Sequence, residues 1–311
     1  MTSNMNNYLK PILAIIIVNW NNSKDTLECL NSLENSNVSR CKFMVILVDN
    51  GSKDSIEKLI DLSSFSFPLI IHNNKVNEGF TGGNNRGIKI AIKHAVKYVF
   101  LLNNDTVIEK NCVCNLAELL DNNPNIGIVG PVIFYYDTPN IIWQIGARIN
   151  FRLGFKRGLS NLPSSRIPSK PIELDCVTGA GLMIRTDIIK RIGLLDVEYF
   201  CYFEDTDWST KVKRLGYKVV CLPQAKLWHK VSKSTPSMIH YYYFYRNRLY
   251  FYNKYSNKIN FLLIQFIILF QGLFNIIKFL FKKKYSIVKG IILGIFDYYR
   301  NIRGKSDYFK G

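Results

Sequence analysis

Val99-Phe100-Leu101-Leu102-Asn103-Asn104-Asp105-Thr106 decides the reading of this chain. Four apolar residues run straight into two amides and a carboxylate, at the tip of what reads as the most buried strand. The same pattern recurs upstream. Ile12–Val18 ends in Asn19-Trp20-Asn21, Phe43–Val48 in Asp49-Asn50-Gly51-Ser52, and Leu69–His72 in the run Asn77 to Gly87. Helical patterns lie between: Ser23–Leu33 with Ser23 as N-cap, a helix from the Ser52 turn to about Leu62, one from about Asn84 to His94, and one ending at Leu120. Alternation of this kind predicts βαβ units and a mostly parallel sheet flanked by helices, α/β and Rossmann-like. Ligands of such sheets lie beyond the carboxyl ends of the strands. Asp49 alone would read as an Asx-turn, and Asn19 alone as a turn. Four clusters on one edge read as a polar ligand site.

The expected ligand is a nucleotide, yet the common phosphate loops are absent. No GxxxxGK[ST] occurs, and the Gly-rich run does not fit GxGxxG and follows the third strand rather than the first. That argues against P-loop hydrolases, kinases and dinucleotide dehydrogenases. Without a phosphate loop a diphosphate needs a cation. Mg²⁺ and Mn²⁺ favour oxygen ligands, and Asn103-Asn104-Asp105 offers them. A second acidic cluster, Phe203-Glu204-Asp205-Thr206-Asp207-Trp208, opens a helix. Acidic residues suit a helix start by dipole alone. Three in four positions, beside Phe200, Tyr202 and Phe203, exceed that need. A carboxylate walled by aromatics makes a good general base, because desolvation raises its pKa. His229, with Asp and Asn, would complete an ordinary Mn²⁺ set.

Residues 131–175 hold five prolines and predict loops with short antiparallel strands. Val177–Arg185 and Lys218–Leu222 read as strands, and Thr206–Leu215 as a helix with Trp208, Val212 and Leu215 on one face. The seven scattered cysteines read as reduced thiols, which favours the cytosol. The start of the chain lacks a small-residue cleavage site, so no secretory leader is expected.

Charge is uneven along the 311 residues. Of the net +18, the stretch from His240 onward carries 13 Lys and Arg against 2 Asp and Glu. A basic end of this kind meets phosphate, on nucleic acid or on anionic lipid. Ile259–Ile277 is free of charge, and Asn260, Gln271, Asn275 and Lys278 share one helical face, an amphipathic stripe. Lys282-Lys283-Lys284 and a second apolar run, Ile287–Phe296, follow. These predict two helices lying in a membrane surface rather than a span. The aromatic run from His240 to Tyr255 reads as an interface belt, or as a surface that stacks on sugar or nucleic acid.

The motifs IIIVNWN (from Ile15), VDNGSKDS (from Val48), NEGFTGGNNRGI (from Asn77), FLLNNDT, the run from Val177 to Tyr217 and WHKVSKS (from Trp228) resemble the inverting nucleotide-sugar glycosyltransferases of GT-A fold, glycosyltransferase family 2. The rhamnosyltransferase-like branch is the most similar. The resemblance covers about residues 11–255. It departs in the metal motif, where Asn103 stands in place of a frequent Asp. The resemblance implies a GT-A catalytic domain over 1–239, with a nucleotide half of about 11–130 and an acceptor half of about 131–239; the charge and apolar runs make 240–311 a membrane-associated helical tail. It places Asn19 and Asp49 by the base. Asn77, Gly79, Gly83, Asn84 and Asn104 belong to the donor site, and Gly179 and Ala180 to the sugar pocket. Asp105 and His229, with Asn103, hold Mg²⁺ or Mn²⁺. Asp205 is the base, and Glu204 binds an acceptor hydroxyl or orients the site. The donor expected is dTDP-L-rhamnose or a UDP-sugar. The acceptor is lipid-linked or polysaccharide, at the cytoplasmic face of the membrane. A nucleotidyltransferase and a nucleic-acid-binding protein are the alternatives. The acidic cluster near Glu204 argues against nucleic acid.

Overall fold

The computed structural model describes residues 12–37, 40–231 and 237–309. The first eleven residues, which bear on the leader, and Ser232-Lys233-Ser234 of the last motif fall outside them.

In chain order the strands are β1 (Leu13–Asn19), β2 (Phe43–Asp49), β3 (Leu69–Asn73), β4 (Tyr98–Asn103), β5 (Thr106–Ile108), β6 (Ile126–Tyr135), β7 (Ile141–Gln144), β8 (Ala147–Asn150), β9 (Phe155–Gly158), β10 (Leu162–Pro163), β11 (Ile172–Leu174), β12 (Gly181–Arg185) and β13 (Lys218–His229). The helices are α1 (Ser23–Glu34), α2 (Gly79–Lys93), α3 (Cys112–Asn122), α4 (Thr186–Ile192), α5 (Glu204–Arg214), α6 (Met238–Tyr255), α7 (Lys258–Phe281) and α8 (Tyr285–Tyr299). The main sheet runs β10-β7-β6-β12-β4-β1-β2-β3. Strands β3, β2, β1 and β4 are mutually parallel, and β12 lies antiparallel between β4 and β6.

Both faces of this sheet are covered, which is why its strands read as continuous apolar runs. Leu13, Ile15 and Ile17 pack with Leu30 of α1 and Leu116 of α3. Ala14 and Ile16 pack with Ile88 and Ala91 of α2, and share that side with Trp208 and Val212 of α5. The parallel strands therefore end together, at Asn19, Asp49, Asn73 and Asn103, as the alternation predicts.

Five local expectations change. The helix after Ser52 does not form; only 3₁₀ turns at Ile56–Leu59 and Leu62–Ser64 do. Asp49 takes the amides of Ser52 and Ile56, and Asn21 that of Lys53, so these donors point away from a helical path. Helix α1 is capped at Asn22 rather than Ser23. Helix α2 starts five residues early, so most of the glycine run is helical, and Leu215 is 38% exposed instead of buried. Strands β6 and β13 each extend well past the expected ends, to Tyr135 and His229, because they pair with each other in parallel.

The largest change is in the aromatic run. It forms α6, and Tyr242, Tyr243, Tyr245, Phe251 and Tyr252 are almost fully buried. Tyr245, Phe251 and Tyr252 pack with Tyr199, Phe203 and the facing sides of α7 and α8, while Tyr243 stacks on Phe200 and Tyr242 meets Phe309. They form a core, not an interface belt, while His240 and Phe244 of the same run face a cavity. On α7 two residues of the polar stripe, Gln271 and Asn275, turn inward, while Lys278 stays exposed. Gln271 accepts from Arg248 Nη1 at 2.8 Å, and Asn275 donates to Tyr245 Oη at 2.8 Å. Polar partners on α6 draw these residues in, and the apolar side is left outside, with Phe266, Phe270 and Phe274 all above 60% exposed.

Candidate active site

A cavity of about 660 Å³ opens at the carboxyl ends of β4 and β13. Strand register builds one side of it. β13 pairs His229 with Thr106, so Asp105 meets the imidazole: Oδ1 lies 2.9 Å from Nε2. The Asn103 amide lies 3.3 Å from the same nitrogen. The edge of Trp143 packs on the ring, centroids 4.5 Å apart, and holds its plane. The three polar residues at the strand tip thus divide their work. Asn103 and Asp105 face His229. Asn104 turns to α1 and donates to Thr26 Oγ1 at 2.9 Å.

One carboxylate, one imidazole nitrogen and one amide converge here on the cavity wall. Mg²⁺ or Mn²⁺ accepts such a set once the Asn103 amide presents its oxygen, and the two ends of an amide are told apart only by their partners. Among the described residues no three His, Cys, Asp or Glu side chains gather at one point. A cation here would therefore lean on the amide and on oxygens from outside the chain.

The first turn of α5 supplies the second group, and its three acids part ways. Asp207 points away from the cavity and is fully buried among Lys211, Lys254, Tyr255 and Tyr199. Asp205 lines the cavity. Its Oδ2 accepts from the Gly179 amide at 3.1 Å, and its Oδ1 from the Thr206 amide at 2.6 Å and hydroxyl at 2.9 Å. Glu204 lines it too, but Oε2 is buried with no partner. Burial, with the charge of Asp205 next, pushes its pKa up to about 8. Glu204 is thereby mostly protonated at pH 7, and in that form it can donate a hydrogen bond.

The cavity brings together Asp205, Glu204, Gly179, Ala180, Asn103, Asp105 and His229. Asp49 lines a separate shallow hollow with Ser52, Asn73 and Asn74. Of the remaining donor-site candidates Asn19, Gly79, Gly83 and Asn84 are buried and Asn77 is half-buried. Asn19 is buried, its amide tied to Thr26 and Ser52. Asn77 Oδ1 accepts the Gly79 amide at 2.8 Å, and Gly79 turns the chain at φ +74°. A Cβ on Gly83 would stand 2.8 Å from Val18, so this glycine lets α2 lie close on β1. Asn84 donates to the Phe80 carbonyl at 2.8 Å.

Sequence reasoning missed Trp143, Lys156 and Phe244, all lining the cavity. Lys156 reaches in from β9 and donates to Thr206 Oγ1 at 3.2 Å. Trp143 and Lys156 lie in the proline-rich section, where no periodicity gives a register. Phe244 was hidden in the aromatic run.

The profile of the family described as "Glycosyl transferase family 2" matches residues 14–193. The chain belongs to glycosyl transferase family 2. The dTDP-rhamnosyl transferase RfbF of Shigella flexneri is 23% identical over 194 residues, and the match spans 60% of each chain. The low-salt glycan biosynthesis hexosyltransferase Agl10 of Haloferax volcanii is 24% identical over 313 residues, 95% of this chain and 93% of its own. The fold is that of the mannosyltransferase PcManGT of Pyrobaculum calidifontis, solved with GDP-Man and Mn²⁺. The TM-score is 0.56 at 15% identity, over 92% of this chain and 74% of that one. The mostly parallel sheet flanked by helices is a GT-A fold, as the motif resemblance implies.

Proposed function

We propose that this member of the family is an inverting glycosyltransferase using a nucleotide-diphosphate sugar. dTDP-L-rhamnose is the first candidate, by similarity to RfbF, and a UDP-sugar the second. The observation that carries the reading is that Asp205 and Glu204 share one cavity with Asn103, Asp105 and His229, at the end of a parallel sheet. Asp205 takes the proton of an acceptor hydroxyl as that oxygen bonds to the anomeric carbon. The bond to the diphosphate breaks on the opposite face, the nucleoside diphosphate leaves, and the centre inverts. Protonated Glu204 donates to an oxygen of the acceptor and holds it in line. A divalent cation held by Asp105, His229 and Asn103 would supply positive charge for the leaving diphosphate. Asp49 lies at the base end, and Gly179 and Ala180 floor the sugar pocket. Asn19, Asn77, Gly79, Gly83, Asn84 and Asn104 shape the donor edge from behind.

The acceptor of this reading is lipid-linked, or a growing polysaccharide, at the cytoplasmic face of the cell membrane. Donor, acceptor and membrane functions divide near residues 130 and 239, with α6 serving the last two. Support comes from α7: a helix of 24 residues with its apolar side outward, followed by Lys282, Lys283 and Lys284. An apolar face flanked by lysines suits an anionic leaflet.

The test is a panel of dTDP-L-rhamnose, UDP-glucose, UDP-GlcNAc and GDP-mannose, each with Mn²⁺ or Mg²⁺. Slow release of nucleoside diphosphate from one of them is expected. Release of pyrophosphate from nucleoside triphosphates would instead identify a nucleotidyltransferase.

A further inference from the structure

Phe200, Tyr202 and Phe203 hold left-handed backbone conformations, with φ of 62°, 68° and 77°. Bulky residues rarely adopt this region. A segment so strained persists only where its surroundings fix it, and such segments gather at functional sites. This one delivers Glu204 and Asp205 to the cavity.

What fixes it is α6. Asn247 Nδ2 lies 2.9, 2.7 and 2.9 Å from the carbonyls of Tyr199, Cys201 and Tyr202, and its two hydrogens can serve Cys201 and Tyr202 because Arg246 also reaches Tyr199. Its Oδ1 accepts from Arg246 Nε at 3.0 Å, which settles the end of the amide that faces the loop. Arg246 Nη2 reaches the carbonyls of Glu198 and Tyr199, each at 3.2 Å. The Phe200 carbonyl is taken from the other side, by the Thr81 amide of α2 at 3.1 Å. Every carbonyl from Glu198 to Tyr202 is thereby satisfied, as a buried loop requires. Both α6 residues are at most 1% exposed. Neither polar side chain is needed to fill a core that apolar residues would fill better. The helix also grips the first turn of α5, where Lys254 Nζ and Tyr255 Oη both lie 2.8 Å from Asp207 Oδ1.

We propose that Asn247 and Arg246 are positioning residues, which hold the Phe200–Phe203 loop in its left-handed path and so set where Asp205 stands in the cavity. Arg246 is anchored in turn to the far end of the chain: Nη1 donates to the Gly304 carbonyl at 2.8 Å, and to Tyr242 Oη, which donates to Asp297 of α8 at 2.5 Å. The brace therefore joins the catalytic loop to the tail helices. The proposal rests on the role given to Asp205 above.

The experiment compares full-length wild type, Asn247→Ala, Asn247→Gln and Arg246→Lys. Turnover is read on the nucleotide sugar of the panel hydrolysed fastest, binding of UDP or dTDP with Mn²⁺ by calorimetry, and backbone exchange over 199–206 by hydrogen–deuterium mass spectrometry. In Asn247→Ala we expect kcat to fall about 10²-fold, the cost of roughly 1 Å of misplacement. Nucleotide affinity and donor KM should stay within about twofold of wild type. Loop amides should exchange at least about tenfold faster while β1 to β4 stay protected. Asn247→Gln, which keeps the donors on a longer arm, should recover part of the rate. A folded Asn247→Ala protein with wild-type kcat, or with exchange raised evenly across the domain, overturns the proposal. If that variant does not fold, Arg246→Lys decides in the same assays: kcat lowered at unchanged nucleotide affinity supports the brace, and unchanged kcat and loop exchange refute it. If wild type turns over no sugar of the panel, the proposed function fails, while exchange in the loop still decides the brace.

Discussion

Asp105 and His229, 124 residues apart in sequence, meet at 2.9 Å because β13 lies beside the short strand β5. A pairing set by strand register is preformed and needs no ligand to assemble it. Asp105→Ala should therefore weaken the Mn²⁺-dependent binding of UDP or dTDP by tenfold or more, on the order of 1.4 kcal/mol. His229→Ala should act in the same direction. Asn104→Ala should have a smaller effect, since that amide faces Thr26. Titration calorimetry with and without Mn²⁺ measures this. Equal affinity in Asp105→Ala and wild type, or full activity in excess EDTA, would remove the metal from the account.

Glu204 predicts a pH dependence of stability. Its folded pKa is raised from the usual 4.5 to about 8 by burial. Between those values the folded chain binds a proton that the unfolded chain has lost. Its contribution is therefore present below pH 4.5 and lost as pH rises through 8. Glu204→Gln lacks this penalty, so its stability relative to wild type should grow by roughly 1–5 kcal/mol from pH 5 to pH 9. Thermal melts of both proteins across that range check it, and parallel curves would contradict the burial argument.

The parallel edge was legible because its strands are covered on both faces, so apolar runs and their polar ends mark the strands directly. The same logic found Asn103, Asp105 and His229. It does not show which of those polar ends are already tied within the protein. Asn19, Asn84 and Asn104 look like a binding edge in sequence, yet their amides are consumed in bracing it. The Arg246-Asn247-Arg248 triplet was the visible anomaly in an aromatic run, and burial of two guanidinium groups could have been inferred from it. On α7 the helical wheel placed the polar stripe correctly but not the inward turn of Gln271 and Asn275. That depends on Arg248 and Tyr245 of a different helix.

The outward face of α7 gives a test of membrane attachment. Phe266, Phe270 and Phe274 are exposed at 68%, 64% and 63%. Burying each in lipid is worth about 1.5–3 kcal/mol. Replacing all three by Gln should move the full-length protein from the membrane to the soluble fraction, with UDP or dTDP binding unchanged. Wild type should be loosened by alkali, and by salt where the basic flanks contribute. Removing residues 256–311 is a poorer test, because it uncovers the sides of Tyr245, Leu249 and Tyr252 that pack on α7 and α8; that protein should aggregate. A triple variant still held on membranes would discard this face as the anchor.

The proposed mechanism turns on Asp205 taking the proton. The most direct measurement is the initial rate of nucleoside diphosphate release by Asp205→Asn, beside calorimetric binding of the same nucleotide with Mn²⁺. The amide keeps the shape of the side chain and can still accept from Gly179, but it cannot take a proton. The rate should be lower by about 10²–10⁴-fold with nucleotide affinity unchanged. A rate within a few-fold of wild type would contradict it.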